Sequence, residues 1–479
     1  MKKNCCFILI FIVAFGASVY SQTKKWTIQD CVAYALEHNI SIKQSALDTN
    51  LATIDKRSAV GSFLPTINAD ASHSWNIGLN QNITTGLLEN QTTQFSAFGI
   101  NAGFDIYKGL QNQNRLRKAN LGIIAAQYRL DKMKDDISLN IANAFLQILF
   151  NKENIKVQNE QLTLNEKLYQ RTYELVKAGS IPRGDLLDIK ATVASNKQKV
   201  INAENAFLIS KLSLAQLLQL DDFKNFDITD TDYPITESAT MLLTPEAIFE
   251  KAKDERVELK IARTNLEMAE REVQIAKGAL QPSLQGFYRF NTRIGYSDRI
   301  TGFELNASNP SSVIGVVEGT NQNVLKPNFS PILGNPLPFF DQFSNNKGHN
   351  FGFQLNVPIL NSFTVKNNVA RNKVSLEKSK IALSQSELDL ERNVYTAFTD
   401  AKGALKAYES AVVALDARKE AFTYATEKYA VGLMNAFDFN QSQTLLANAQ
   451  SEVLRTKYDY IFRVKVLEFY FGIPLIQKQ

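Results

Sequence analysis

Few side chains in this 479-residue sequence have the types and spacing to do chemistry. Histidine occurs three times, at His38, His73 and His349, and these are far apart, so no metal-ligand cluster follows from them. Adjacent acids stand at Asp135-Asp136 and Asp221-Asp222; they have the types of a general acid–base pair but read as solvated surface. The sequence offers no glycine-rich phosphate loop and no nucleophile elbow. What remains is a pair of aspartates, each placed a few residues after a glycine: Asp185 after Gly179 and Asp438 after Gly432. In the first turn of a restarting helix a carboxylate meets free N–H groups and the positive end of the helix dipole. Asn435-x-x-Asp438 has the spacing of a cap. No cofactor is implied, and the sequence does not read as an enzyme.

The elements that must place these acids are long helices. Leu116, Ile123, Leu130, Ile137 and Ala144 are spaced by seven, as are Leu186, Val193, Val200, Phe207 and Leu214 after the first glycine. Leu383, Leu390, Ala397, Ala404 and Ala411 repeat the pattern, and Phe439, Leu446, Val453, Tyr460 and Leu467 continue it after the second. Sustained heptads predict helices packed side by side with a shallow supercoil. The run from 110 to 178, unbroken at about 1.5 Å per residue, would reach roughly 100 Å. The stretches LVKAGSIPRGDLL (175–187) and YAVGLMNAFDF (429–439) then read as turns of two helical hairpins, near 179–184 and 432–436.

The chain is written twice. Residues 26–65 align without a gap with 243–282 at an offset of 217, so that Thr27 meets Thr244, Ala35 meets Ala252, Gly61 meets Gly278 and Pro65 meets Pro282. GFDIYKG (103–109) matches QLNVPIL (354–360) at an offset near 251, and Gly179 matches Gly432 at 253. The domain reading is a leader at 1–21, a first repeat at 22–230 and a second at 231–479. Between the helices the period drops to two. Ile67, Ala69, Ala71, Trp75, Ile77 and Leu79 share one face, and Phe98, Ile100, Ala102, Phe104 and Ile106 another. In the second repeat Leu284, Tyr288, Phe290 and Ile294, then Phe351, Phe353, Leu355 and Val357, do the same. This predicts a β-hairpin over about 66–107 and another over about 283–360, four strands in all. The Gly/Asn/Ser/Pro-rich stretch 297–348 reads as a long loop.

Composition bounds the compartment. Hydrophobic residues make up 44% and charged residues 21%, and the net charge of +5 gives no case for nucleic acid. Lys2 and Lys3 followed by FILIFIVAFG (7–16) predict a signal peptide, with Val19 and Ser21 suited to cleavage before Gln22. Cys5 and Cys6 fall inside it, too close to Met1 for lipidation. Cys31 is then the one mature cysteine, unable to form an internal disulfide and expected to pack as a small apolar residue.

Alternating apolar and polar faces in a secreted chain fit the strands of an outer-membrane barrel. Trp75, Phe104, Tyr107, Tyr288, Tyr296 and Phe351 suit its interfacial girdles. Four strands cannot close a barrel, and open edges in lipid cost several kcal/mol per unpaired group, so other protomers must supply strands. Half-buried strands of a soluble protein are the rival reading.

At this point the sequence resembles the TolC-like outer-membrane efflux proteins. The residues that carry the resemblance are the duplication, the opening WTIQDCVAYALEHN, the junctions GSFLPTI and GALQPSL, and the two glycine turns followed by aspartate. The resemblance implies a mostly helical fold with a small antiparallel β part. Four strands per chain would contribute to a trimeric twelve-stranded barrel on a long periplasmic helical barrel. It implies an outer-membrane exit duct of a tripartite efflux or type I secretion system. The partners would be two further copies, outer-membrane lipid, a periplasmic adaptor and an inner-membrane pump of resistance-nodulation-division or ABC type. Docking tips would fall at Ala178, Gly179 and Ser180 and at Val431, Gly432 and Leu433. Acids lining a pore entrance would fall at Asp438 and, three residues on, at Gln441, which departs from the family pattern; Asp185 and Asp188 hold the corresponding places in the first repeat. The alternative function is a periplasmic coiled-coil scaffold or adaptor without membrane insertion.

Overall fold

The computed structural model describes residues 25–473 apart from 83–85, 223–224, 231–232, 234 and 236–237. The predicted leader, with Cys5, Cys6 and the cleavage position, lies outside the described residues. Two compact units form, one from Met1–Ile54, Asn120–Ala269 and Ser375–Gln479, the other from Asp55–Ala119 and Glu270–Val374.

The elements of the first repeat are β1 (Lys25–Trp26), α1 (Ile28–His38), α2 (Ile40–Gly61), β2 (Thr66–Gln81), β3 (Leu88–Lys108), α3 (Gln111–Lys177), α4 (Arg183–Leu218) and β4 (Asp227–Ile228). A 3-10 turn (Ala239–Leu242) leads into the second: α5 (Pro245–Glu255), α6 (Val257–Gly278), β5 (Ser283–Gly295), β6 (Arg299–Leu305), β7 (Ser311–Val316), β8 (Asn323–Pro327), β9 (Phe329–Gly334), α7 (Phe339–Asn345), β10 (Gly348–Asn356), α8 (Thr364–Ala430) and α9 (Ala436–Tyr470).

The duplication is kept to the residue. Thr27 caps α1, its hydroxyl accepting from the Asp30 amide while the Asp30 carboxylate accepts from the Thr27 amide. Thr244, 217 residues on, caps α5 by accepting from the Ala247 amide, with Pro245 preset for the first turn. Both α1 and α5 run 11 residues, both α2 and α6 run 22, and both α3 and α8 run 67.

In the helical unit two apolar cores repeat the same positions. Cys31, Ala35 and Ile42 are buried against Ile141, Phe145 and Leu214. Their counterparts Ile248, Ala252 and Leu259 are buried against Leu390, Val394 and Leu467. Every heptad position picked out from the sequence is buried or half-buried, so the seven-residue period is a packing seam. No described helix is long and apolar enough to cross a membrane.

In the other unit four strands form one antiparallel sheet in the order β10-β5-β3-β2. Cross-strand partners share a face, and the apolar sets coincide: Ala71 opposes Phe98, Ile100 opposes Phe290, and Tyr288 opposes Phe351. The opposite face carries Asp70, Asn101, Arg289 and Asn350. The outer edges of β2 and β10 meet no other strand among the described residues.

Two sequence expectations need correction. The stretch 297–348 is not one loop. It holds two antiparallel ribbons, β6 with β9 and β7 with β8, and the short helix α7. Strands of five to seven residues are too short to raise a periodic signal above the surrounding Gly, Asn and Pro. The offset near 251 is also replaced. Gly109-Leu110 and Ser362-Phe363 are consecutive left-handed pairs just ahead of α3 and α8, which sets the offset at 253. An alternating pattern cannot tell these two values apart, because a shift of two returns every side chain to its own face.

Candidate functional site

The glycine turns are built alike. At the end of α3 the Gly179 amide donates to Val176 O (2.9 Å) and the Ser180 amide to Leu175 O (2.9 Å). At the end of α8 the Gly432 amide donates to Tyr429 O (3.3 Å) and the Leu433 amide to Lys428 O (2.9 Å). This is the hydrogen-bond pattern of a Schellman stop, which needs a left-handed residue. Gly179 has φ of 73° and Gly432 of 79°. Nothing lies within 4 Å of where either Cβ would be, so the backbone angle alone calls for glycine.

The restarts differ. Asn435 caps α9, its side-chain oxygen accepting from the Asp438 amide at 2.8 Å and its Nδ2 donating to the Asp438 carboxylate at 2.9 Å. Pro182 occupies the equivalent place before α4 and gives no side-chain cap. Asp185 and Asp438 therefore both sit in a first helical turn, but only Asp438 is tied to a capping side chain. Asp188 and Gln441 lie further along α4 and α9, both exposed.

The structure brings the two turns together through residues that the sequence reading did not single out for this role. Leu168 and Ile189 of the first hairpin are buried with Ala425, Ala436 and Phe439 of the second. Phe439 stacks on Tyr429 at 4.6 Å, and the Arg171 guanidinium lies 5.5 Å from the Tyr429 ring. Asn440 Nδ2 donates to Thr192 Oγ1 at 2.9 Å, joining α9 to α4. Phe439 was visible as the first heptad position after the glycine; its partners across some 250 residues were not. Around the second turn Val431, Leu433 and Phe437 stand exposed, whereas Ala178 and Ser180 give the first a smaller rim. This arrangement offers no reaction chemistry. It offers two rigid turns with exposed apolar and backbone groups.

A duplicated chain of paired long helices, with a four-stranded sheet apolar on one face, polar on the other and, among the described residues, open at both edges, defines a membrane channel subunit. The family model for outer membrane efflux protein matches residues 32–219 and 248–472, and the chain belongs to that family, one of TolC-like efflux channels rather than of enzymes. Among solved structures the chain is similar to the Campylobacter jejuni CmeC outer membrane channel, with a TM-score of 0.73, 17% identity and coverage of 93% of this chain and 85% of that one. It is also similar to the Vibrio cholerae outer membrane protein VceC, with a TM-score of 0.73, 15% identity and coverage of 94% and 97%. The open state of the Neisseria gonorrhoeae MtrE outer membrane channel matches with a TM-score of 0.69, 17% identity and coverage of 94% and 89%. No curated protein sequence matches the chain.

Proposed function

We propose that three copies of this chain form the exit duct of a tripartite efflux or type I secretion system. Four strands from each copy would make a twelve-stranded barrel in the outer membrane. The helical hairpins would stand in the periplasm, and a periplasmic adaptor would link their turns to an inner-membrane pump. The observation that carries this reading is the sheet: one face apolar, one face polar, both edges open. In lipid such edges must be paired, and strands from further copies are the available partners. The same sheet speaks against a coiled-coil scaffold free of the membrane, since a water-soluble hairpin has no use for Ile77, Phe351 and Leu355 standing exposed.

Docking is assigned to Ala178, Gly179, Ser180, Val431, Gly432 and Leu433, and the mouth of the duct to Asp185, Asp188, Asp438 and Gln441. The two repeats, 22–230 and 231–479, act as one subunit. Fractionation followed by gel electrophoresis without boiling tests the reading. A heat-dissociable multimer in the outer-membrane fraction is expected; a soluble monomer would overturn it. For docking, Gly432→Trp should abolish export while the multimer still assembles, and normal export by that variant would remove the tips as the docking surface.

A further inference from the structure

In a sheet closed by several copies, the outer edge of β10 in one copy must meet the outer edge of β2 in the next. The chain carries its own template for that junction. β5 is the second-repeat counterpart of β2, and their first residues, Ser283 and Thr66, are 217 apart, as are Gly295 and Gly78. β10 is the counterpart of β3 at 253, the offset that relates Leu110 to Phe363 and α3 to α8. The β3–β5 ladder within the chain therefore pairs the second strand of one repeat with the first strand of the other. The absent pairing, β10 with β2 of a neighbour, is the same pairing with the repeats exchanged.

We propose that the seam between copies follows the β3–β5 register carried across by the duplication, so that Phe351 opposes Trp75 of the next copy and Gln354 opposes its Ser72. The source pairs are Phe98 with Thr292 and Asn101 with Arg289. This rests on the trimeric reading above and adds the residue-by-residue contact.

Four features of the chain agree with this register. First, it mixes no faces. Leu355 falls opposite Ala71 and Phe351 opposite Trp75 on the apolar side, while Gln354 falls opposite Ser72 and Asn356 opposite Asp70 on the polar side. A slip of one residue would set Phe351 against Ser74 or Asn76 and reverse every pair. Second, the ends match: the seam closes at Gly348 opposite Gly78, where β10 begins and where the counterpart ladder ends at Phe95 with Gly295.

Third, the register explains apolar side chains that the single chain leaves bare. β10 stops at Asn356 because its partner β5 starts at Ser283. Yet Ile359 and Leu360 beyond it are 93% and 85% exposed, and Phe351 and Trp75 are 78% and 60% exposed. On the transferred register Leu360 continues the strand opposite Ile67 of the neighbour. Fourth, it places Pro358 correctly. Pro358 is the counterpart of Asp105, where the β3–β5 ladder breaks register between Asp105 and Tyr107. Proline within a sheet is confined to edge strands and bulges, and Pro358 falls next to Ile359, the counterpart of the residue that the irregularity skips.

Cysteine pairs in the full-length protein test the seam. Gln354→Cys with Ser72→Cys probes the polar face, and Leu355→Cys with Ala71→Cys the apolar face; the two positions alternate between wide and narrow ladder sites, so one of them suits a disulfide. The two cysteines of each pair sit on opposite edges of one chain's sheet, so a bond between them joins copies. Oxidation in outer membranes should give covalent dimers and trimers on a denaturing gel for at least one pair. Gln354→Cys with Ser74→Cys, two residues out of register, should give at least ten times less. Equal or stronger linkage by the shifted pair, linkage to a different protein, or no linkage by either pair in a multimer that survives unboiled electrophoresis would overturn the register alone. A wild-type protein that is monomeric on the unboiled gel would overturn the closed sheet with it.

Discussion

Asn39 and Arg256 occupy the same place in the two repeats, 217 residues apart, and solve the same problem with different chemistry. Each is the buried residue at which a short helix ends and the next begins. Asn39 Nδ2 donates to Leu217 O at 2.9 Å, and its Oδ1 accepts from the Ser41 and Ile42 amides. Arg256 Nη1 donates to Phe469 O at 3.4 Å, its other nitrogens hold the Glu258 carboxylate at 3.0 and 3.1 Å, and its guanidinium lies 3.8 Å from the Phe469 ring. Asp135 of α3 stands 3.7 Å from it. A neutral amide ties one corner to a backbone carbonyl of α4; a buried cation ties the other to a carbonyl of α9 and makes it depend on acids from α6 and α3 as well. Duplication fixed the geometry of the corner and left its electrostatics free to diverge.

The largest effect should come from breaking that difference. Arg256→Ala removes the charge-assisted hydrogen bonds to Glu258 and the buried guanidinium over the Phe469 ring, and should cost about 3–5 kcal/mol in all. Asn39→Ala removes neutral hydrogen bonds and should cost about 1–3 kcal/mol. Heat dissociation of the multimer in detergent ranks the two, and equal losses would remove the distinction. Burial pushes the Asp135 carboxyl above its ordinary range, against the pull of Arg256 and with a push from Glu258. A raised carboxyl disfavours the folded state when ionised, so protonation favours folding. The Arg256→Ala defect should therefore shrink as pH falls from neutrality into the range where Asp135 takes up its proton, and a defect that grows on acidification would contradict this.

The turns provide the next comparison. Gly179→Ala and Gly432→Ala each force a left-handed angle on a side chain and should cost roughly 1–2 kcal/mol alike. Asn435→Ala should cost about 1 kcal/mol, read as earlier exchange of the first α9 amides, while Pro182→Ala has no side-chain cap to lose. The smallest structural effect is expected at Asp438. Asp438→Ala should change single-channel conductance or its cation block in a planar bilayer while leaving assembly intact; no change in either would leave the aspartate with its place in the cap alone.

The parts legible in the sequence were those with a period. Heptads marked the helical seams, alternation marked the four sheet strands, and the two repeated glycines marked the turns of the hairpins. Contacts without a period were silent: the stacking of Tyr429 on Phe439, the link from Asn440 to Thr192, and the ribbons within 297–348. The replacement of an amide by a guanidinium at Arg256 was visible as a letter, but its consequence depended on Asp135 arriving from another helix. Helix α7 was hidden for a related reason. Its Gln342 bonds both the amide and the carbonyl of Gly295, doing for the end of β5 what a strand would have done.

The matched lengths of α3 and α8, 67 residues each, carry a consequence for how such a gene can change. One residue added to either would turn everything beyond it by about 100° and advance it by about 1.5 Å, carrying one glycine turn out of step with the other. Length variation along these helices is thus admissible only in compensated steps, in both halves at once. The extra segment between β5 and β10 lies where no counterpart must stay in phase, so residues added there leave both glycine turns in step.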